Sequence, residues 1–113
     1  KSKKKIHFTL AHSKESFLLF KKNENSFWES LWVPYNKDNC EKSNLFKKPA
    51  KKEVITINHL LSHMELEITI EIFDYKTPFK IESNLEHQWI NKNQIHNYGL
   101  PKPIKTIIDN YVC

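Results

Sequence analysis

Met64-Glu65-Leu66-Glu67-Ile68-Thr69-Ile70-Glu71-Ile72-Phe73 is the stretch that decides the fold class. Met64, Leu66, Ile68, Ile70 and Ile72 fall at every second position, so in an extended chain they must share one face. The glutamates and Thr69 take the alternate positions. The pattern predicts a strand, the clearest in the chain, with its apolar face on a core and its glutamate face in water.

Working outward, the same kind of signal recurs at lower strength. Ile6–Leu10 and Ser16–Phe20 are short β-prone runs, and Asn23-Glu24-Asn25-Ser26 marks a turn after the second. Phe27–Val33 is rich in large apolar residues and predicts a further strand that Pro34 ends or bends. Tyr35–Lys52 is polar and lysine-rich and reads as a long loop with room for one helical turn. Val54–Asn58, Phe79–Ile81 and His87–Ile90 read as strands. The period then changes: after Gly99 and Pro101-Lys102-Pro103, Ile104, Ile107, Ile108 and Tyr111 recur at helical spacing, with Pro103 suited to the first turn. These elements predict an α+β domain, a mixed or antiparallel sheet closed by a C-terminal helix.

Composition narrows the function. The length of 113 residues suits one domain, and no apolar run approaches the roughly 20 residues of a membrane helix. The expectation is a chain with no membrane partner, in the bacterial cytoplasm. It begins at a lysine with no apolar segment behind it, which is read as a fragment or a processed product without a signal peptide. Cys40 and Cys113 form no paired motif, so free thiols in a reducing setting are expected. The net charge is +5 and all 18 basic residues are lysines. Without arginine the chain cannot make the bidentate guanine contacts that dominate major-groove readout. Any DNA binding must rest on lysines at phosphates plus a few short polar or backbone groups. Lys4, Lys5, Lys14, Lys47, Lys48 and Lys51 are the candidates for phosphate contact.

His59-Leu60-Leu61-Ser62-His63 lies between two predicted strands and predicts a tight loop at a sheet end, where function is often carried. His59 and His63 are four apart, a zinc spacing on a helix, but these flanks are strands and no cysteine pair accompanies them, so no metal site is assigned. The alternative for the histidines is a structural turn. Phe27-Trp28-Glu29-Ser30-Leu31-Trp32-Val33-Pro34 reads as core, with base stacking the lesser reading. No nucleophile and base pair up in the sequence, and no catalytic residue is assigned.

Three segments resemble a known family. His59-Leu60-Leu61-Ser62-His63-Met64-Glu65-Leu66-Glu67-Ile68 resembles the H-x-F-S-H-x-x-L-x-I segment of the C-terminal domains of MutY-type A/G-specific adenine DNA glycosylases. Trp28-x-x-Leu31-Trp32-x-Pro34 resembles their W-G-G-L-W-x-F-P strand. Trp89 followed by Gly99-Leu100-Pro101-Lys102-Pro103-Ile104 resembles their closing W…G-L-P-x-P-[IV] segment. The three occur in family order over nearly the whole chain. The resemblance implies a Nudix-like fold that recognises 8-oxoguanine opposite adenine in double-stranded DNA. It implies that adenine is removed by an N-terminal helix-hairpin-helix domain, absent here, which carries a 4Fe–4S cluster. No cofactor is expected in residues 1–113, and a monomer is expected. By the same resemblance Ser62 meets the lesion, His63 holds the loop or meets a phosphate, Leu61 packs at the DNA surface, and His59 belongs to the same DNA-binding group. The chain departs from the pattern where Leu61 replaces phenylalanine, where Glu29 and Ser30 replace two glycines, and where Pro34 comes one position early. The Tyr35–Lys52 loop also has no clear counterpart to the family's helix.

The chemistry of the loop stands apart from the resemblance. Guanine N7 is an acceptor, whereas 8-oxoguanine carries a hydrogen there, so a reader of the lesion needs an acceptor. A serine hydroxyl can accept, although it can also rotate and donate, which limits what Ser62 discriminates alone. The competing readings are a Nudix pyrophosphatase and a protein-binding domain. The pyrophosphatase motif, G-x5-E-x7-R-E-U-x-E-E-x-G-U, needs two glycines and an arginine. This chain has Gly99 alone and no arginine.

Overall fold

Strand β6, Met64–Tyr75, organises the fold in the computed structural model, which describes residues 2–22, 28–37 and 45–111. Along one side of β6, strand β1 (Ser2–Ser13) runs parallel from Ser2 opposite Met64 to Ser13 opposite Tyr75. Along the other, β5 (Lys51–Leu60) runs antiparallel from Lys51 opposite Asp74 to Leu60 opposite Glu65. Strand β2 (Ser16–Lys21) folds back on the end of β1. The short β3 (Trp32–Val33) pairs with the far end of β2, and β4 (Tyr35–Asn36) pairs with β1 at Phe8 and Thr9. Strand β7 (His87–Asn91) covers the other edge of β2. A 3-10 turn, Lys92–Asn97, leads to helix α1, Lys102–Asn110. The domain is thus α+β, a mixed seven-stranded sheet with a short C-terminal helix.

The alternation of β6 appears as burial. Leu66, Ile68 and Ile70 are fully buried and Ile72 nearly so, and they meet Ile6, Phe8 and Leu10 of β1 in the main core. Helix α1 closes that core with Ile104, Ile107 and Ile108, and Pro103 occupies its first turn, where a missing N–H costs nothing. A polar pair lies at the margin of the main core, with His12 buried and Asp74 partly exposed. His12 is 4% exposed, its Nδ1 lies 2.8 Å from Asp74 Oδ1, and its ring packs on Phe17 and Tyr111.

The opposite face is not wholly in water. A second core of Ala11, Leu18, Phe20, Tyr35, Tyr75 and Ile81 covers its far end, with Phe46, Phe73, Phe79 and Trp89 packed against it. Burial raises the Tyr75 hydroxyl to about 12, and that hydroxyl donates to the Lys47 carbonyl at 2.6 Å. Glu71, expected on a solvated face, is buried at 7% exposure. It survives there because Lys37 and Lys52 close on its two oxygens, the latter at 2.6 Å.

Other expectations change as well. Phe27–Val33 is not one strand: residues 28–30 form a turn, only Trp32–Val33 pairs, and Phe27 lies outside the described residues. Pro34 breaks the ladder as expected, and the chain passes there from β2 to β1. The Tyr35–Lys52 loop is shorter than its polarity suggested, since Tyr35–Asn36 form β4 and Lys51–Lys52 begin β5. Its middle lies outside the described residues, as do Cys40 and Cys113. Phe79–Ile81 pairs with no strand; its β-prone residues serve the second core, and Phe79 is held through its carbonyl, which accepts from Trp89 Nε1 at 2.8 Å. No helix among the described residues is long and apolar enough to cross a membrane.

Candidate nucleic-acid interface

The β5–β6 hairpin turns through three residues, Leu61, Ser62 and His63, closed by the Leu61 N–H donating to the Met64 carbonyl at 2.8 Å. Two long strands, paired with each other along the whole of β5, hold this tip, so its position is fixed by the sheet and not by the loop itself. Ser62 and His63 are both exposed at the turn. Leu61 is half-buried and packs on the main core, so the residue that stands in place of the family's phenylalanine anchors the loop from below. His59 is not in the loop. It sits in β5 opposite Leu66, half-buried, with its ring 6.2 Å from that of Trp28. The structure therefore brings three of the four sequence-derived residues to the turn and places the fourth on the strand beneath it. Among the described residues, no three His, Cys, Asp or Glu side chains gather as a metal ion requires.

The parallel pairing of β1 adds Ser2 and Lys3, which the sequence did not single out, and brings the candidates Lys4 and Lys5 beside them. Ser2 lies opposite Met64, Lys3 opposite Glu65 and Lys4 opposite Leu66, so the lysine run Lys3-Lys4-Lys5 flanks the tip. Lys3 reaches Glu67 at 3.7 Å, an exposed pair that contributes little. The lysines named from the sequence divide between two ends of the sheet. Lys4 and Lys5 are near Ser62, whereas Lys51 is opposite Asp74 and Lys14 follows Ser13, which is opposite Tyr75. A strand of 12 residues spans roughly 40 Å, so the two groups cannot serve one short contact. Lys3 was adjacent to named candidates in the sequence, but only the β1–β6 pairing, between segments about sixty residues apart, reveals its neighbour.

Trp28 reaches the tip region from the turn before β3. The second and third resembling segments also meet in space. The Trp32 N–H donates to the Gly99 carbonyl at 2.8 Å, and the Trp32 ring meets Tyr98 edge-on at 5.4 Å. A Cβ on Gly99 would stand 3.1 Å from Leu31 Cδ2, so a larger residue there needs the end of that leucine to shift slightly.

The second polar cluster is centred on Glu71. Burial acts to raise its carboxyl, but hydrogen bonds and charge from Lys37 and Lys52 outweigh that and lower it to about 2. His7 Nε2 lies 3.2 Å away, able to add charge when protonated. A carboxylate already engaged by two lysines is poorly suited to a metal or to acid–base work, so this cluster reads as a cross-link.

Residues 7–110 match the family model described as the NUDIX domain. No curated protein matches the sequence. The fold is similar to the C-terminal domain of mouse MUTYH, solved in complex with human PCNA, with a TM-score of 0.65 and 10% identity over 93% of this chain and 84% of that one. It is similar to an Ap4A hydrolase of C. elegans, with a TM-score of 0.65 and 12% identity over 93% and 92% of the two chains. A MutT protein from Methanosarcina mazei Go1 gives a TM-score of 0.64 and 16% identity over 96% and 92%. At these identities the likeness bears on the fold alone. With the family model spanning most of its length, the chain belongs to the NUDIX domain family.

Proposed function

We propose that this chain is a non-hydrolytic NUDIX domain that recognises 8-oxoguanine opposite adenine in duplex DNA and positions a MutY-type adenine glycosylase on the mispair. In this reading the catalytic helix-hairpin-helix domain with its 4Fe–4S cluster is a separate part of the parent protein and a partner of this one. The observation that carries the reading is the exposed Ser62-His63 pair at the tip of a hairpin that the sheet holds rigid. Ser62 offers the acceptor that the lesion's N7 hydrogen requires. In this reading His63, exposed at the turn, and Lys3, Lys4 and Lys5, which flank it on β1, meet phosphate. Its support against hydrolysis is compositional, since one glycine and no arginine leave the pyrophosphatase motif unbuilt.

The test is binding of the chain to duplexes holding adenine opposite 8-oxoguanine or opposite guanine, at one fixed salt concentration. The expected result is tighter binding to the lesion. Ser62→Ala should reduce that preference by about 1–2 kcal/mol, the scale of one hydrogen bond. Equal discrimination by the variant removes Ser62 from the role. Metal-dependent hydrolysis of nucleoside polyphosphates by the chain would replace this reading with that of a pyrophosphatase.

A further inference from the structure

Strand β5 ends the sheet order β3-β2-β1-β6-β5. Its odd-numbered residues turn their backbone groups toward β6, as the Leu61 N–H to the Met64 carbonyl shows, and the register carries that alternation back along the strand. Lys52, Val54, Thr56, Asn58 and Leu60 therefore present their N–H and C=O groups outward, and among the described residues no strand takes them. Natural sheets blunt such edges with lysine, proline or a bulge. Here Lys51, Lys52 and Glu53 blunt only the start, and Val54–Leu60 has none of these devices. Among the described residues, Val54 at 55% exposure and Leu60 at 63% are the large apolar side chains left in the open. On the other face of the strand, Ile55 and Ile57 floor a groove of about 600 Å³ whose wall is Ile107 and Tyr111.

We propose that two copies of this chain associate edge to edge through β5, antiparallel, about a two-fold axis at Thr56. The outward backbone groups restrict the pairing to even-numbered residues against even-numbered residues. Among such registers, the one centred on Thr56 sets Ile55 against Ile57 of the second copy and Glu53 against His59 of the second copy, each twice by symmetry. In the same register Val54 meets Asn58, and Leu60 lies along the Lys52 stem. A centre at Ile55 sets Lys51 against His59 and Glu53 against Ile57; a centre at Ile57 sets Ile55 against His59. Of these three centres, only Thr56 both matches isoleucine with isoleucine and sets the Glu53 carboxylate against a side chain that can donate a hydrogen bond to it. All five outward-facing residues gain backbone partners, and four isoleucines join into one strip beneath the two grooves. The contact is isologous and closed, so it yields a dimer and not a fibre. This departs from the monomer expected from the sequence, and it is independent of lesion reading.

The test is sedimentation equilibrium of the 113-residue chain, whose mass is 13.5 kDa. The expected mass rises with concentration toward twice that value. Thr56→Pro removes an outward N–H that β6 does not use, and Val54→Lys blunts the edge with charge. Each should weaken association by roughly tenfold or more, about 1.4 kcal/mol. Glu53→Lys should weaken it also, and adding His59→Glu to that variant should restore it, which reports the register. Circular dichroism checks that each variant folds, and Val54→Lys decides the matter if Thr56→Pro does not fold. A mass of 13.5 kDa at every concentration overturns the proposal. A dimer that persists in the folded edge variants overturns it equally.

Discussion

Ser30 and Trp28 hold φ angles of 68° and 65°, in the left-handed region where a Cβ is crowded. The turn they shape is pinned by the Ser30 N–H donating to the Lys22 carbonyl at 2.8 Å and the Leu31 N–H to the Trp28 carbonyl at 3.1 Å. The resembling family has two glycines where this chain has Glu29 and Ser30, and the backbone explains one of them: Ser30 needs the glycine conformation. The other left-handed residue of this turn is Trp28, one position before the first expected glycine. Ser30→Gly should therefore stabilise the fold by about 0.5–1 kcal/mol, strain relief offset in part by the freedom glycine adds to the unfolded chain. Thermal denaturation should show the midpoint rising by roughly 2–6 °C. A midpoint that stays or falls would mean that Ser30 carries no strain there. The sequence disclosed the substitution but not its conformation, because φ depends on how the turn is held between β2 and β3.

At the scale of elements, the best-read parts were those whose own pattern matches their burial. Strand β6 and helix α1 each bury the face their period announces, and β7 differs from its expected span by one residue. The parts less well read were those defined by partners. The two-residue strands β3 and β4 exist because Pro34 hands the chain from β2 to β1, and no local pattern encodes that hand-over. The hairpin tip was legible as a loop between strands, whereas the lysine run beside it required the parallel β1–β6 pairing. Helix α1 offers the sharpest test of this scale. It has nine residues, too few to be stable alone, so packing must hold it. Ile104 is fully buried at its first turn. Ile104→Ala should cost about 2–4 kcal/mol, by loss of transfer energy and an unfilled cavity. Urea denaturation that shows a loss below 1 kcal/mol would place the helix outside the cooperative core.

At the scale of the whole molecule, Glu71 joins segments distant in the chain. Its carboxylate on β6 holds Lys37, which follows β4, and Lys52 of β5, with His7 of β1 beside it. The alternation of Met64–Phe73 placed Glu71 with the solvated glutamates, since nothing in the strand itself says that chain from elsewhere will cover this end. Covering it sets a pH dependence. The folded carboxyl lies near 2 against 4.5 for the group when free, so the folded state holds the charged form more tightly than the unfolded state does. That contribution is present in full above about pH 4.5 and is lost as the pH falls toward 2. The two lysines are half-exposed, so solvent screens part of the interaction, and the stabilisation expected is on the order of 2 kcal/mol. Glu71→Gln keeps the shape of the side chain and removes its titration. At neutral pH the variant should be less stable than the parent by about that amount, and the two stabilities should converge as the pH drops through the window. Urea denaturation between pH 7 and pH 2 measures both curves. Parallel curves, with the same gap at every pH, would mean that Glu71 stabilises the fold by packing alone and that its charge links nothing.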